Sequence, residues 1–513
     1  MKLSEKILPF ESAGAAIDAE RGAGKIIVQA HGTFDLVHPG HVYHLQEAKA
    51  LGDILVITLT AEQFVNKGPG RPYFNDHLRA HSLAALSCVD YVIVVPHATA
   101  VEAIRSVRPD IYCKGREYED PETDVTGNIA DDVRIVQEVG GVVKYVGSVV
   151  FSSTRILNNH FDHLASPVRR FCSELAKEVG PADFREAVES FEGLRVLVIG
   201  DTILDRYSYV NVQGLTSKNR IISGRFLKEE TQTGGALAVF RHVKEFTGDI
   251  KFVSLVGTEP WVDSLLARHV TGEQDLVIRD PAFTTIIKQR FVEPLSDGKE
   301  MEKLFSVNFI DAGPLPDAIR DRALKVIGHA IKKVDAVFVL DFGHGLMEKE
   351  IRDLVQDEAK FVALNCQTNS NNHGFNIVTR QYRRANAVTL DTQELMLSSG
   401  HRFLDHPKEL SALRDHLGAS YAWLTRGPAQ TIGLHCDEQP CYCPALEAEV
   451  TDTIGAGDAF FSMAALSAVR QLPINLGTFL GQLAGAQAVK IVGNEHPISK
   501  STLLKSGMSL LNF

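Results

Sequence analysis

The chain has 513 residues, of which 44% are hydrophobic and 23% charged, and its formal net charge is −11 at pH 7. A chain of this length is expected to form two or three domains, and its composition is that of a globular protein. The negative charge argues against a protein that wraps nucleic acid. The longest nearly apolar run, 459–469, is shorter than the roughly 20 residues that a membrane span needs. We therefore expect a cytoplasmic protein that acts on small molecules, with no nucleic-acid partner and no membrane partner.

The seven cysteines show no repeated spacing, which is typical of a reducing compartment. One local cluster combines His435 and Cys436 with Cys441 and Cys443. Structural zinc sites normally show two pairs of ligands at short, regular spacing, and a second pair is missing near this cluster. We interpret these residues as ordinary parts of a strand and its turn rather than as a metal site.

The elements predicted first along the chain are short strands that alternate with helical patterns. The predicted strands are 26–30, 54–60, 91–96, 110–113 and 142–146. Strands separated by helices form a parallel sheet that is covered on both faces. We therefore predict an N-terminal extension (1–24), a Rossmann-like α/β domain (25–160) and a helical connector (161–193).

A second α/β pattern is predicted for residues 194–513, with its first strand at 194–200. Further strands are predicted at 251–256, 336–340, 361–364, 387–389 and 422–425. The stretches 207–233 and 284–310 differ, because they read as paired, half-exposed β-ribbons, and we predict that they form a small lid sheet. The predicted fold class is therefore α/β, with two domains and a β lid on the second.

The first motif follows the strand at 26–30, in the segment HGTFDLVHPGH. Gly32 allows the backbone to approach a phosphate closely, and Pro39 and Gly40 open a helix whose free amides favour anions. His38 and His41 lie three residues apart across that first turn. As imidazolium groups they could stabilise charge that develops on phosphoryl oxygens. By itself the pair could also be two ordinary histidines at a helix start, or metal ligands.

This segment resembles the cytidylyltransferase-like superfamily, whose signature G-x-F-D-x-x-H-x-G-H is complete here. Lys67, Arg79, Lys114 and the stretch 151–156 (FSSTRI) follow in the order expected for that family. The resemblance implies a nucleotidyltransferase in which His38, His41, Lys67 and Lys114 stabilise the transition state. It also implies that nucleotide is bound by Gly32, Thr33, Phe34, Asp35, Gly40, Arg79, Ser152, Ser153 and Thr154.

The second motif, DTIGAGD at 452–458, precedes the apolar helix predicted at 459–469. Three small residues, Gly455, Ala456 and Gly457, would expose amides at a helix N-terminus as an anion hole for a phosphoryl group. Asp458 at the same terminus can accept the proton of an attacking hydroxyl. This string predicts phosphoryl transfer to an alcohol.

The string resembles the PfkB/ribokinase signature D-T-x-G-A-G-D. Through that resemblance Asp201, Asp205, Gly234 and Gly235 are expected to bind a sugar, Thr425 and Gly427 a nucleotide, and Glu394 and Asp391 Mg²⁺. Three positions depart from the family pattern: Ala238 and Asp391 stand where Asn is usual, and Gln430 where Gly is common. Ala238 weakens any inference about which sugar is bound.

Lys288, Arg290 and Lys303 in the predicted lid could bind a phosphate already present on the substrate, or they could be ordinary solvated charges. We also expect the segments 340–347 and 365–376 to face the edge of the second site.

The combination resembles the bifunctional heptose 7-phosphate kinase and heptose 1-phosphate adenylyltransferase enzymes of lipopolysaccharide synthesis, with the order of the two domains reversed. It implies ATP and Mg²⁺ for the kinase, ATP or CTP for the transferase, and a homodimer that forms through the lid. Two alternatives remain open. The transferase could act on a polyol or another small phosphate, and the kinase-like domain could bind a ligand without catalysis.

Overall fold

The computed structural model describes residues 3–119, 128–147, 157–158, 164–270, 276–294, 301–310, 313–368 and 374–513. The chain forms two compact units: Met1–Pro181 together with Leu504–Phe513, and Ala182–Leu503. Within the described part of the chain, every helix is too short or too polar to cross a membrane.

Unit 1 is built on one six-stranded sheet in the order β1-β4-β3-β2-β5-β6, and every neighbouring pair is parallel. Its strands are β1 Ile7–Leu8, β2 Ile27–Gly32, β3 Ile54–Thr60, β4 Tyr91–Val95, β5 Ile111–Gly115 and β6 Val142–Val146. Its helices are α1 Leu3–Lys6, α2 Phe10–Gly22, α3 Pro39–Lys49, α4 Asp76–Ala84, α5 Val101–Val107, α6 Asn128–Glu138 and α7 Ser166–Leu175. All seven residues of β3 are buried, as expected for a central parallel strand with helices on both faces.

Unit 2 contains an eight-stranded sheet in the order β10-β7-β15-β16-β17-β18-β19-β20. Its pairs are parallel up to β18, whereas β18–β19 and β19–β20 are antiparallel. The strands are β7 Arg195–Gly200, β10 Asp249–Val253, β15 Ala336–Asp341, β16 Val362–Cys366, β17 Ala387–Asp391, β18 Tyr421–Thr425, β19 Gln430–His435 and β20 Cys441–Pro444. The α/β prediction is confirmed for both units.

A separate four-stranded sheet in unit 2 has the order β14-β13-β8-β9. Its strands are β8 Thr202–Leu215, β9 Ile222–Gly234, β13 Ile286–Pro294 and β14 Met301–Phe309. The predicted lid ribbons therefore form one sheet. A parallel pair, β11 Leu255–Val256 and β12 Ile278–Arg279, stands apart from both sheets.

The helices of unit 2 cover its large sheet. The first part of the series is α8 Pro181–Glu189, α9 Gly235–Lys244, α10 Val262–His269, α11 Asp317–Ile331, α12 Lys349–Glu358 and α13 Val378–Gln381. The remainder is α14 Thr392–Ser399, α15 His406–His416, α16 Ala456–Val469 and α17 Ile474–Ala488. The last helix, α18 Lys500–Leu510, begins in unit 2 and passes into unit 1 at Leu504. Helix α16 is buried at every position from Ala459 to Ala468, because a helix that is apolar on all sides is stable only inside a core.

The observed units differ from the predicted bounds at both ends of the chain. The predicted extension 1–24 is part of unit 1, since β1 joins the sheet and Ala13 and Ile17 of α2 are fully buried in its core. Residues Leu504–Phe513, which we predicted to belong to the second domain, lie in unit 1. The boundary between the units falls at Pro181, within the predicted connector.

Candidate active sites

The first site lies where the strand order of unit 1 reverses. Strand β2 is the first strand after the α1–α2 segment, and its neighbours β3 and β5 lead the chain in opposite directions across the sheet. Ligands of open α/β sheets bind at such a switch point, beyond the carboxyl ends of the strands. His38 directly precedes α3 shortly after β2 ends, and Lys114 lies at the carboxyl end of β5. The fold therefore brings these two predicted site residues to the same edge.

His38 and His41 stack on each other at the start of α3, with ring centroids 3.9 Å apart and planes inclined by 25°. The ring of Phe34 meets His41 edge-on at 5.1 Å. Nδ1 of His41 lies 3.1 Å from the carbonyl oxygen of Leu36. Because a carbonyl only accepts, we assign the proton of neutral His41 to Nδ1, which leaves Nε2 as the atom that can take up or share another proton.

The surroundings of both histidines favour their neutral form. Burial lowers the pKa of His41 to about 3, and the charges of His38 and Lys67 add to the effect. Burial also lowers the pKa of His38. The expectation that both become imidazolium groups as charge develops on a bound nucleotide stays a prediction. A bound polyphosphate would favour protonation, since a nearby negative charge raises a histidine pKa.

Asp35 and Arg79, predicted to bind nucleotide, are engaged in holding the loop around the site. The buried carboxylate of Asp35 accepts from Nε of Arg71 at 2.5 Å and from the backbone N–H of Tyr73 at 2.7 Å. Arg79 donates from Nη1 to the carbonyl of Thr33 at 2.7 Å. These bonds fix the positions of the loop that carries Lys67 and of the backbone after Gly32.

Two lysines bring positive charge to the first site. Burial lowers the pKa of Lys67 to about 8, so it stays largely protonated at neutral pH. Nζ of Lys114 lies 2.8 Å from the buried carboxylate of Asp132 and near the rings of Tyr112 and Tyr118. Lys114 is thus held in one place by an acid and two aromatic faces. Ser152, Ser153 and Thr154 lie outside the described residues.

The second site is a cavity of about 160 Å³ in unit 2. It lies between the start of α16, the lid strands β8 and β13, and the ends of β15 and β16. Its walls are formed by Ile203, Asp205, Gly235, Lys288, Arg290, Phe342, Gln367, Ile454, Gly455, Gly457 and Asp458. Most of the residues predicted for the phosphoryl-transfer and sugar sites therefore meet in one place.

The glycine-rich turn opens α16 in a conformation that requires glycine. Gly455 is the N-cap, with φ +85°, and a Cβ there would lie 2.1 Å from Oδ1 of the buried Asn494. A larger residue would be strained and would also clash. Ala456, Gly457 and Asp458 occupy the first turn of α16, where amides have no helical acceptor and attract anions.

Asp458 can exchange a proton near neutral pH. Burial raises its pKa to about 7; the charge of Asp205 adds to this rise, and Lys288 opposes it. A carboxyl group with such a pKa at the wall of a cavity is suited to general-base catalysis.

The cations of the cavity differ in their partners. Nη1 of Arg290 is ion-paired with Asp205. Lys288 lies over the ring of Phe342, with 5.6 Å to its centroid. Lys303 outside the cavity is bound to Asp452 at 3.0 Å. Among the described residues Lys288 makes no salt bridge with a carboxylate, so of the three predicted phosphate ligands it is the one available to a substrate anion.

Asp201 does not line the cavity, and its predicted contact with a sugar is replaced by a supporting role. Its carboxylate accepts from the backbone N–H groups of Phe342, His344 and Leu346 at 3.2, 3.1 and 3.3 Å. Asp201 therefore shapes the loop that presents Phe342. Gly234 packs against Asp205, since a Cβ there would lie 2.2 Å from its Oδ2.

The predicted Mg²⁺ ligands form a helix cap instead. Asp391 and Glu394 make a reciprocal capping box at the start of α14, and Glu394 also accepts from the N–H of Thr368 at 3.3 Å. Burial raises the pKa of Glu394 to about 8, which favours its neutral form. This donor set does not fit direct metal coordination, because the oxygens of Glu394 are engaged and its charge is disfavoured.

Thr425 and Gly427 lie at the carboxyl end of β18, beside Asp391 at the end of β17. Gly427 has φ +53°, so the backbone turns sharply there. They are placed at the sheet edge as predicted, although they do not line the cavity.

Several cavity residues were not singled out by sequence reasoning. Phe342 and Gln367 come from the two segments that we expected at the site edge without assigning residues to them. Residues 369–373 of the second segment lie outside the described residues. Ile454 occupies the variable slot of the DTxGAGD string. Asp452 of the same string was also missed: its buried carboxylate accepts from the hydroxyl of Tyr207 at 3.0 Å and from Lys303. Asp452 occupies the first, fixed position of the D-T-x-G-A-G-D pattern, and that position could have identified it from the sequence.

The cysteine cluster spreads over different environments. Cys441 and Cys443 are both buried in β20, on the same side of the strand, whereas Cys436 is exposed. Ligand atoms of His435, Cys436 and Asp437 lie within 4.8 Å of one another at the surface. The three groups are not gathered around the two buried thiols, and the interpretation without a metal stays a prediction.

Part of the chain is similar to known proteins. Residues 30–159 match the family model described as "Cytidylyltransferase-like". Curated relatives named "Bifunctional protein HldE" include that of Syntrophotalea carbinolica, which is 42% identical over 156 residues (30% of this chain and 30% of the relative). That of Helicobacter pylori strain P12 is 44% identical over 115 residues (22% of this chain and 24% of the relative). The chain thus matches about a third or less of the length of these relatives.

Solved structures match a larger part of the chain at low identity. The ribokinase of Arabidopsis thaliana complexed with ribose and ATP is 17% identical, with a TM-score of 0.48 over 63% of this chain and 99% of that one. Phosphofructokinase-2 from Escherichia coli with substrates and products is 14% identical, with a TM-score of 0.49 over 62% and 99%. At this level of likeness, the function of unit 2 has to be argued from its own geometry.

Proposed function

We propose that the chain is a bifunctional enzyme that makes a nucleotide-activated sugar. Unit 2 phosphorylates a sugar phosphate with ATP, which gives a sugar bisphosphate. Unit 1 then joins the new anomeric phosphate to a nucleotidyl group from a nucleoside triphosphate and releases pyrophosphate. The proposed substrate is heptose 7-phosphate, phosphorylated at its anomeric hydroxyl. The single observation that carries the proposal is the cavity in which Asp458, with a pKa of about 7, faces Lys288 beside a helix N-terminus.

In the kinase step Asp458 accepts the proton of the sugar hydroxyl as its oxygen attacks the γ-phosphorus of ATP. The bond from that phosphorus to the bridging oxygen breaks, and ADP leaves. Amides of Gly455, Ala456 and Gly457 stabilise the oxygens of the transferred group through the positive end of α16. Phe342 and Ile454 line the cavity and keep water from competing for the phosphoryl group.

Lys288 supports a substrate that already carries a phosphate. It is the cation of the cavity that is not committed to a carboxylate among the described residues, and it stands beside Asp205, whose carboxylate can accept from sugar hydroxyls. Burial lowers the pKa of Lys288, and a bound phosphate would offset the cost of holding its charge there. A neutral sugar would offer no such compensation.

In the transferase step an oxygen of the sugar 1-phosphate attacks the α-phosphorus of the nucleotide, and pyrophosphate leaves. His41, which donates from Nδ1 to Leu36, can present a protonated Nε2 to a phosphoryl oxygen once the nucleotide is bound. Lys67 and Lys114 neutralise charge on the leaving group. This step is supported by the family match over residues 30–159 and by the stacked histidine pair.

Mg²⁺ belongs to the proposal as the usual companion of nucleotide phosphates. Because Asp391 and Glu394 form a helix cap, no step of the mechanism is assigned to a metal held by them. The residues that would hold the nucleotide are at the start of α16 in unit 2 and around α3 in unit 1.

We also propose a homodimer that forms through the lid sheet. The edge strands β9 and β14 carry exposed apolar side chains, including Phe226 at 60% and Phe305 at 53% exposure. Apolar patches of this kind mark interaction surfaces, and open strand edges favour pairing with another chain. Sedimentation of the wild type and of a Phe226→Asp, Phe305→Asp variant tests this: a dimer that the variant dissociates is expected, and a monomeric wild type would refute it.

The decisive experiment incubates the protein with Mg²⁺, all four nucleoside triphosphates and D-glycero-D-manno-heptose 7-phosphate, followed by mass spectrometry of the products. A nucleotide diphosphate heptose that keeps its 7-phosphate is expected, because neither step removes that group, and its mass identifies the base. An Asp458→Asn variant should make no product from heptose 7-phosphate but should still convert heptose 1,7-bisphosphate or heptose 1-phosphate. Failure of the wild type with all of these substrates would refute the heptose assignment.

The same variant separates catalysis from mere ligand binding in unit 2. If the kinase fold only binds a ligand, wild type and Asp458→Asn will show the same absence of ADP formation with every sugar phosphate tested. If it is an enzyme, only the variant will lack ADP formation. Binding of the sugar phosphate to the variant shows that its cavity is intact.

A further inference from the structure

The segment Leu504–Phe513 belongs to unit 1, although the 322 residues that precede it form unit 2. It continues the helix α18 and ends shortly after it. Buried Asn158 of unit 1 donates from Nδ2 to the carbonyl oxygens of Ser509 and Asn512, at 2.8 and 3.0 Å. These two hydrogen bonds fix the position of the segment in unit 1, because moving it would leave the buried amide of Asn158 without partners, which costs free energy.

The segment contacts the loop that carries Lys67. Nζ of Lys505 donates to Oδ1 of Asn66 at 3.2 Å. On the other side of Lys67, a Cβ placed on Gly68 would lie 3.4 Å from Cα and Cβ of Ser506. Lys67 is therefore flanked on both sides by contacts with consecutive residues of this segment.

Lys505 adds charge where a polyanion would bind. Around this loop the four cations Lys67, Arg71, Arg79 and Lys505 outnumber the three carboxylates of Asp35, Asp76 and Glu62. Asp35 is bound to Arg71, and Asp76 to Arg79. Lys505 is close enough to lower the pKa of Lys67, in addition to the larger effects of burial and Arg71. Like charges repel each other in the absence of a ligand, so such a cluster gains most when an anion enters.

We propose that Leu504–Phe513 contributes to nucleotide binding at the first site. In this proposal Lys505 binds the polyphosphate of the nucleotide, and Ser506 supports the Lys67 loop. The inference rests on the proposed nucleotidyl transfer for the identity of its ligand. It adds to that function a binding residue that lies far from the family motif in sequence.

Hydrogen exchange of the peptide that covers residues 62–74 tests the proposal with inorganic pyrophosphate as the probe. This peptide reports on unit 1 alone, so pyrophosphate bound elsewhere does not disturb the reading. Wild type is expected to exchange more slowly when pyrophosphate is added. Lys505→Ala and Lys505→Gln should need roughly tenfold more pyrophosphate for the same protection, the loss expected for one charge-assisted hydrogen bond, and Lys505→Arg should behave like wild type.

Lys500→Ala is the matched control, because it removes the same charge from the same helix. Its Nζ pairs with Glu192 of unit 2 at 3.2 Å. The proposal is overturned if Lys505→Ala and Lys500→Ala respond to pyrophosphate alike. It is equally overturned if the wild-type loop gains no protection, since the loop would then not bind anions.

Kinetics of nucleotidyl transfer provide a second, independent reading. Lys505→Ala should raise the KM for the nucleotide about tenfold with little change in kcat, whereas a loss of kcat at unchanged KM would contradict a binding role. A wild type that is protected by pyrophosphate but forms no nucleotide sugar would refute the proposed function and leave the anion site in place. A failure of the proposed role of Lys505 can therefore be distinguished from a failure of the proposed nucleotidyl transfer.

Discussion

Replacing Asp458 by Asn should strongly lower kinase activity and at the same time stabilise unit 2 at alkaline pH. Burial raises the pKa of Asp458 from 3.8 to about 7. Below about pH 4 the acid is protonated in both the folded and the unfolded chain, so it does not affect stability. Between pH 4 and 7 the unfolded chain releases the proton that the folded chain keeps, and stability falls as pH rises.

The size of the effect follows from the shift. One pKa unit corresponds to about 1.4 kcal/mol, so a rise of roughly 3 units costs the folded protein up to about 4 kcal/mol at pH 8. Asn has a similar shape and no charge, so Asp458→Asn removes this cost. Unfolding entropy of about 2.1 cal/mol/K per residue over the roughly 320 residues of unit 2 converts 4 kcal/mol into about 6 °C in Tm.

Calorimetric scans of wild type and Asp458→Asn at pH 4.5 and pH 8 measure this difference. We expect Tm values that nearly agree at pH 4.5 and a variant that is several degrees more stable at pH 8. Asp321→Asn, the same change at an exposed position of α11, is the control and should leave Tm unchanged at both pH values. Activity should fall by about 10²- to 10⁴-fold, the usual contribution of a general base.

Two results would refute the reasoning. If the stability difference does not grow with pH, the carboxyl of Asp458 is not buried in the way that raises its pKa. If the variant keeps wild-type ADP formation, Asp458 is not the proton acceptor. In wild type, kcat/KM for the kinase step should rise tenfold per pH unit below about pH 7 and level off above it, because only the ionised base is active.

Three further changes test other parts of the two sites. His41→Ala should lower nucleotidyl transfer, measured as pyrophosphate release, by about 10²- to 10³-fold and leave ADP formation by unit 2 unchanged; an equal loss in both reactions would contradict separate sites. Asp35→Ala should destabilise unit 1 by about 3–5 kcal/mol, because it leaves the buried Arg71 without its partner. An unchanged melting temperature of unit 1 would contradict this expectation. Lys288→Met should raise the KM for a sugar phosphate by more than tenfold but leave the KM for ATP nearly unchanged. A rise in the KM for ATP alone would mean that Lys288 binds the nucleotide rather than the sugar phosphate.

The local parts of both sites could be predicted from sequence. In the His38–His41 and Asp452–Asp458 strings, the residues that define the site are neighbours along the chain. Their backbone conformation is set locally, by Pro39 at a helix start and by Gly455 with its positive φ. The alternation of apolar runs and helical periods predicted both α/β sheets and the lid ribbons for the same reason.

Residues whose role depends on distant partners were predicted less well. Asp201 has the sequence position of a sugar ligand, but the loop after β15 brings three backbone donors to it. Glu394 has the position of a metal ligand, but it is buried against the cap of its own helix. A motif specifies which side chain is present, whereas the groups that reach it are decided by how strands far apart in sequence pair.

The sequence by itself therefore determined the α/β class of each unit and the positions of the two turns that we propose bind phosphate, together with the proposed proton acceptor Asp458. Short-range backbone preferences and apolar periodicity are enough to fix the backbone of these parts. Only the tertiary structure decided that Lys288 and Phe342 meet Asp458 in one cavity. It alone placed Leu504–Phe513 beside Lys67, more than four hundred residues away in the sequence. The sequence around either residue does not predict a contact between residues so far apart along the chain. Such a contact forms only when the packing of the whole chain offsets the entropy lost in closing the long loop between them.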